Sequence, residues 1–84
     1  MKWKDVIERL ERSVGNEYEK KSTLITDIEI AFFGYEFKGA RQLCINVDEE
    51  QHGYWKVYIN HELSPVATIL FENNKNKLIV TAIR

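Results

Sequence analysis

Cysteine occurs once, proline once and glycine four times in 84 residues, and each scarcity closes off a class of protein. A lone thiol, Cys44, cannot form an internal disulfide, which excludes a disulfide-stapled secreted miniprotein. With so little glycine and proline, no stretch has the composition of a linker or a low-complexity tract. No apolar run approaches the roughly 20 residues that span a bilayer, and residues 1–12 are too charged for the apolar heart of a signal peptide. Nor is one sign of charge in excess. Twelve Lys+Arg stand against thirteen Asp+Glu, a formal net charge of -1, without the basic surplus of a dedicated nucleic-acid or membrane-surface binder. No internal repeat is present, so solenoids and arrays are excluded. The expectation left is one compact cytoplasmic domain over residues 1–84, small enough to bury only about two-thirds of its unfolded surface.

What the chain does have is periodicity. Trp3, Val6, Ile7, Leu10 and Val14 fall three and four apart, the spacing of one apolar helix face. Asp5 with Glu8 forms a candidate capping box unless the helix starts earlier. Lys4–Glu8, Asp5–Arg9 and Glu8–Arg12 are opposite charges one helical turn apart, worth about 0.3 kcal/mol each on an exposed surface. Gly15 is a natural left-handed stop.

From Thr23 the period changes to two. Ile28, Ile30 and Phe32 alternate with Asp27, Glu29 and Ala31, predicting a first strand, and a bulge or bend near Gly34 accounts for the opposite phase of Phe33, Tyr35 and Phe37. Leu43, Ile45 and Val47 alternate with polar residues, as do Trp55, Val57 and Ile59; two more strands are expected near 66–72 and 77–83, the first opened by Pro65. Matching apolar residues across strands sets Val47 opposite Trp55, Trp55 opposite Phe71, and Phe71 opposite Leu78. The fold expected is α+β: an N-terminal amphipathic helix on one face of a four- to five-stranded antiparallel meander. Trp55 then lies at the centre of the core.

That register also puts Tyr58, Val66, Leu70, Ile79 and Ile83 on the far face, with Thr68 opposite Thr81. A contiguous apolar patch there implies an interaction site. The alternatives are self-association, or internal cover by residues 33–37 or 17–24.

Motifs for chemistry are weak. Cys44 has no imidazole near it in sequence, since His52 and His61 fall in loops at either end of one strand. Asp48, Glu49, Glu50 and His52 share a hairpin loop without the ligand spacing of zinc or calcium sites. Gly34 and Gly39 do not build a phosphate loop, no serine sits in a nucleophile elbow, and Asp27 with Glu29 suits a wet strand face. No catalytic residue, metal or cofactor is therefore assigned, and no enzyme is expected. Single-stranded nucleic acid has a candidate contact in Tyr54, Lys56 and Tyr58, opposed by the carboxylates of Asp27, Glu29 and Glu72 on the same face. The leading expectation is a non-enzymatic protein-interaction module, such as an inhibitor, immunity-type or adaptor protein. It would act through its outer sheet face or edge, with Tyr54, Tyr58, Leu70, Ile79 and Ile83 as the contact residues and the acidic residues 48–50 steering a basic partner. A homodimer through the same face is the alternative.

Overall fold

The computed structural model describes residues 1–49 and 52–84. Its first helix, α1 (Trp3–Glu11), buries Val6 and Leu10 on the stripe read from the sequence. The helix starts earlier than an Asp5 cap requires. Asp5 is its third residue, and its carboxylate accepts the Lys2 backbone N–H at 2.8 Å. Lys2 has no acceptor to return the bond, so this is half a capping box. Arg9, a candidate partner of Asp5, instead donates to the Phe33 carbonyl at 2.8 Å. Gly15 adopts φ +88° and its N–H reaches the Val80 carbonyl at 2.7 Å, tying the helix exit to the sheet.

The expected first strand is a helix. After the short strand β1 (Glu17–Tyr18), residues Lys21–Ala31 form α2. Leu24, Ile28 and Ala31, spaced four and three apart, are buried, while Ile30 is 60% exposed. Its threonines and isoleucines are β-branched and favour strands locally. Burial of one helical face against the sheet overrides that preference, as tertiary packing commonly does. Asp27 and Glu29 therefore sit on a helix, not on a wet strand face. Nor does residues 33–37 continue a bulged strand. Gly34 (φ +85°) turns the chain, and Tyr35 packs beside Trp3 and Phe32 with ring centroids 5.6 and 6.5 Å away.

Four further strands, β2 (Ile45–Asp48), β3 (Tyr54–Ile59), β4 (Ala67–Asn74) and β5 (Lys77–Ile83), make an antiparallel sheet in the order β1-β5-β4-β3-β2. The fold is thus α+β, with helices on one side of a curled antiparallel sheet. The inner face is as read from the alternation: Trp55, Val57, Ile59, Ala67, Ile69, Phe71, Leu78 and Val80 are buried with Val6, Leu10, Leu24 and Ile28 in one cluster. Trp55 is 1% exposed and meets the Phe71 ring edge-on at 5.0 Å.

The registers differ from those expected, each by two residues. Val47 faces Val57 rather than Trp55, Trp55 faces Ile69 rather than Phe71, and Phe71 faces Val80 rather than Leu78. Turn geometry decides the last of these. Lys75 and Asn76 both have positive φ, 51° and 67°, and Asn74 pairs with Lys77. A two-residue turn with both centres left-handed matches the twist of a hairpin, which the expected four-residue loop does not. A slip of two leaves every side chain on its original face. A bulge does not. Between Phe71 opposite Val80 and Leu70 opposite Ala82 the register shifts, and Ile83 comes to face Ile69. The fifth residue expected on the outer face is therefore turned inward, where it packs against the core.

Candidate functional site

The outer sheet face is built by the residues that alternate with the core. On β3, Tyr54, Lys56 and Tyr58 are half-buried between the enclosed Trp55, Val57 and Ile59. Register places Tyr54 beside Leu70, and Leu70 beside Ala82, forming an aromatic–aliphatic row across three strands. The next row runs Asp48, Lys56, Thr68. Thr68 exchanges backbone bonds with Arg84 at 2.7 and 2.9 Å, which brings a second cation to the row's far end. Tyr58 stands opposite Asn46. Ile79 stands between Glu72 and Glu17, flanked by carboxylates.

Four of the five residues singled out from the sequence thus share this face: Tyr54, Tyr58, Leu70 and Ile79. Ile83 does not, for the reason given by the bulge, and Val66 likewise packs against the core. Thr68 faces Arg84 rather than Thr81. Neither segment expected as cover lies over the face. Tyr35 and Phe37 pack against the core, and the connector supplies the edge strand β1 and helix α2. One polar atom within the face is enclosed: Asn46 Nδ2 has no hydrogen-bond partner among the described residues.

A second surface escaped sequence reasoning. Ile30 and Phe33, the latter 82% exposed, rim an open groove of about 720 Å³ with Leu43, Ile45, Arg9 and Arg41. The groove separates the end of α2 from β2, which ends the sheet on that side. Reading Ile30 as a strand residue hid it. Phe33 lies in the turn that follows the helix, its N–H bonded to the Ile30 carbonyl at 3.0 Å, which sets the two residues side by side.

The groups considered for chemistry are scattered. Cys44 is exposed, with its Sγ 3.8 Å from Asn46 Oδ1. Its backbone is fastened to Asn60 twice, through the Asn60 side-chain oxygen and the Asn60 N–H, both at 2.8 Å. His52 and His61 are exposed. Of the acidic loop, Glu50 lies outside the described residues, and among the described residues no group of three His, Cys, Asp or Glu converges as a metal site. Asp27 serves a structural bond, accepting the Tyr18 hydroxyl at 2.7 Å. Burial foremost, and then that bond, raises the Tyr18 pKa above 10.0. No helix of the described residues is long and apolar enough to cross a membrane. No protein-family model, curated protein or solved structure matches the chain.

Proposed function

We propose that the protein is a non-enzymatic, cytoplasmic interaction module of the inhibitor, immunity or adaptor kind, and that it holds a partner protein on its outer sheet face. The observation that carries this reading is the row Tyr54–Leu70–Ala82, with Ile79 in the adjoining row on one side and Tyr58 beyond the Lys56–Thr68 row on the other, left half-exposed while both helices pack on the other face. Tyrosine and arginine are among the side chains that supply most of the energy at protein interfaces. Such a face on an isolated sheet is an association hazard unless a partner covers it. Lys56 and Arg84, on either side of Thr68, suit a partner with carboxylates opposite the centre of the sheet.

A specific observation favours a second reading. Asp27 and Glu29, whose carboxylates argued against a nucleic-acid contact, belong to α2 and not to this face. Glu72 and Asp48 stay on the face, but Tyr54, Lys56 and Tyr58 with Arg84 offer stacking surfaces beside two cations.

Separate variants test the two readings. Leu70→Glu introduces a charge on the outer face, and is expected to abolish partner capture from cell extract while changing stability by about 1 kcal/mol or less. Tyr58→Ala provides a second probe should Leu70→Glu fail to fold. A folded Leu70→Glu protein that captures the same partner equally well removes the outer face as the binding site. Salt-sensitive binding of a labelled single-stranded oligonucleotide, lost on Lys56→Glu, would replace the protein partner by nucleic acid.

A further inference from the structure

The outer edge of β2 and the groove beside it form another surface, independent of the reading above. The Asn60 N–H donates to the Cys44 carbonyl at 2.8 Å. Bonded and non-bonded pairs alternate along an antiparallel ladder. With Ile45 opposite Ile59, Asn46 opposite Tyr58 and Val47 opposite Val57, the bonds to β3 come from Asn46. The N–H and C=O groups of Ile45 and Val47 therefore point away from β3, along an edge that no described strand pairs with. The sheet's other edge is blunted: β1 is two residues long, with Lys77 3.7 Å from Glu17 and 4.0 Å from Glu19. Strand β2 is twice that length and has neither proline nor lysine to deter pairing.

We propose that β2 pairs antiparallel with β2 of a second copy of this chain, about a two-fold axis through Ile45. In that register Ile45 meets Ile45, and Leu43 meets Val47 of the second copy, with all these side chains on the helix side where they already pack against the core. Cys44 meets Asn46 on the outer side. Before Leu43 the chain bends at residues 41–42, where Arg41 lies 3.9 Å from Glu36 of its own copy; in the dimer Arg41 exchanges that partner for Glu49 of the second copy, and the two-fold makes this ion pair twice. Sliding by two residues places either Leu43 against Glu49 or Arg41 against Val47 and loses both ion pairs. Sliding by one sets inner side chains against outer ones. The charges and the apolar pattern thus select the same register. On the helix side the axis turns groove toward groove, covering Phe33 and Ile30, and each rim carries Arg9 and Glu29 for exchange of opposite charge. The outer faces of the two copies join into one continuous sheet surface.

The experiment is sedimentation equilibrium of the wild type and five variants, with oxidative crosslinking. Wild type is expected to rise with concentration toward twice the 9.9 kDa of one chain. Arg41→Glu and Phe33→Asp, both at exposed positions, weaken the dimer at least tenfold, and Glu49→Arg added to Arg41→Glu restores most of the loss. Asn46→Cys sets a thiol opposite Cys44 of the second copy in a non-hydrogen-bonded pair, within disulfide reach, so mild oxidation gives a covalent dimer. The two native Cys44 thiols lie diagonally, with Cα atoms roughly 7–8 Å apart, and wild type stays uncrosslinked. A wild-type mass of one chain up to millimolar concentration overturns the proposal. So does a dimer indifferent to Arg41→Glu and Phe33→Asp, or one that crosslinks through Cys44 alone. A dimer lost on Leu70→Glu but kept in Arg41→Glu assigns association to the outer face and rejects the edge.

Discussion

Between β1 and α2 the Tyr18 hydroxyl donates to Asp27 at 2.7 Å, and the ring beneath it is buried. Both the lost hydration and the adjacent carboxylate disfavour the phenolate, burial being the larger cause. The folded protein therefore keeps this proton at a pH where the unfolded chain, titrating near 10.0, has released it. That stabilisation is complete below the unfolded value and disappears as pH rises through the higher folded one. Replacing Tyr18 by Phe removes the titration and the bond together. At neutral pH the variant is expected to lose about 1–2 kcal/mol. Denaturation followed from pH 8 to 11 should show a stability gap between wild type and variant that narrows on the alkaline side. A gap that stays constant would mean the Tyr18 proton is not coupled to folding. Nothing in the sequence pairs Tyr18 with Asp27, because their meeting depends on a strand and a helix that the local pattern does not join.

Elements were legible where period and burial agreed, as in α1, whose stripe of Val6 and Leu10 is the buried one. On β3, β4 and β5 the alternation identified the inner face, and slips of two residues in pairing left that assignment untouched. Two features were hidden. The bulge beside Phe71 depends on how two strands accommodate each other, and it turned Ile83 inward. In α2, apolar residues at 28, 30 and 32 satisfy a strand period while 24, 28 and 31 satisfy a helical one, and β-branched composition tipped the reading toward strand. The two readings part at Ile30. A strand would place it on the same face as Ile28; the helix buries Ile28 and leaves Ile30 wet. Ile30→Glu is therefore expected to shift stability by less than about 0.5 kcal/mol. Ile28→Glu buries a carboxylate without a partner and should unfold the protein. Thermal unfolding of the pair by circular dichroism decides it: equal damage from both would restore the strand.

Across the whole molecule, resistance to opening should follow position in the sheet. β3 and β4 each lie between two strands, and β5 is covered by β1 on its far side. Together they carry Trp55, Val57, Ile59, Ile69 and Val80, all with almost no exposed surface. Breaking any bond among them uncovers the main apolar cluster, so these amides should exchange with solvent hydrogen only through global unfolding. The edges are another matter. β1 holds two residues, and among the described strands β2 is bonded on one side alone. Within β2 the amides divide by direction, the Asn46 N–H turned toward Tyr58 and those of Ile45 and Val47 turned outward. In dilute solution Asn46 should be protected by the ladder while Ile45 and Val47 exchange at least tenfold faster. Raising the protein concentration should slow Ile45 and Val47 selectively, because pairing of β2 with β2 engages those two N–H groups, and Asn46 serves as the internal control. Amide exchange followed residue by residue at two concentrations makes the comparison. If all three amides slow together, the edge has been stabilised from elsewhere; if Ile45 and Val47 stay fast at every concentration, no second strand lies along it.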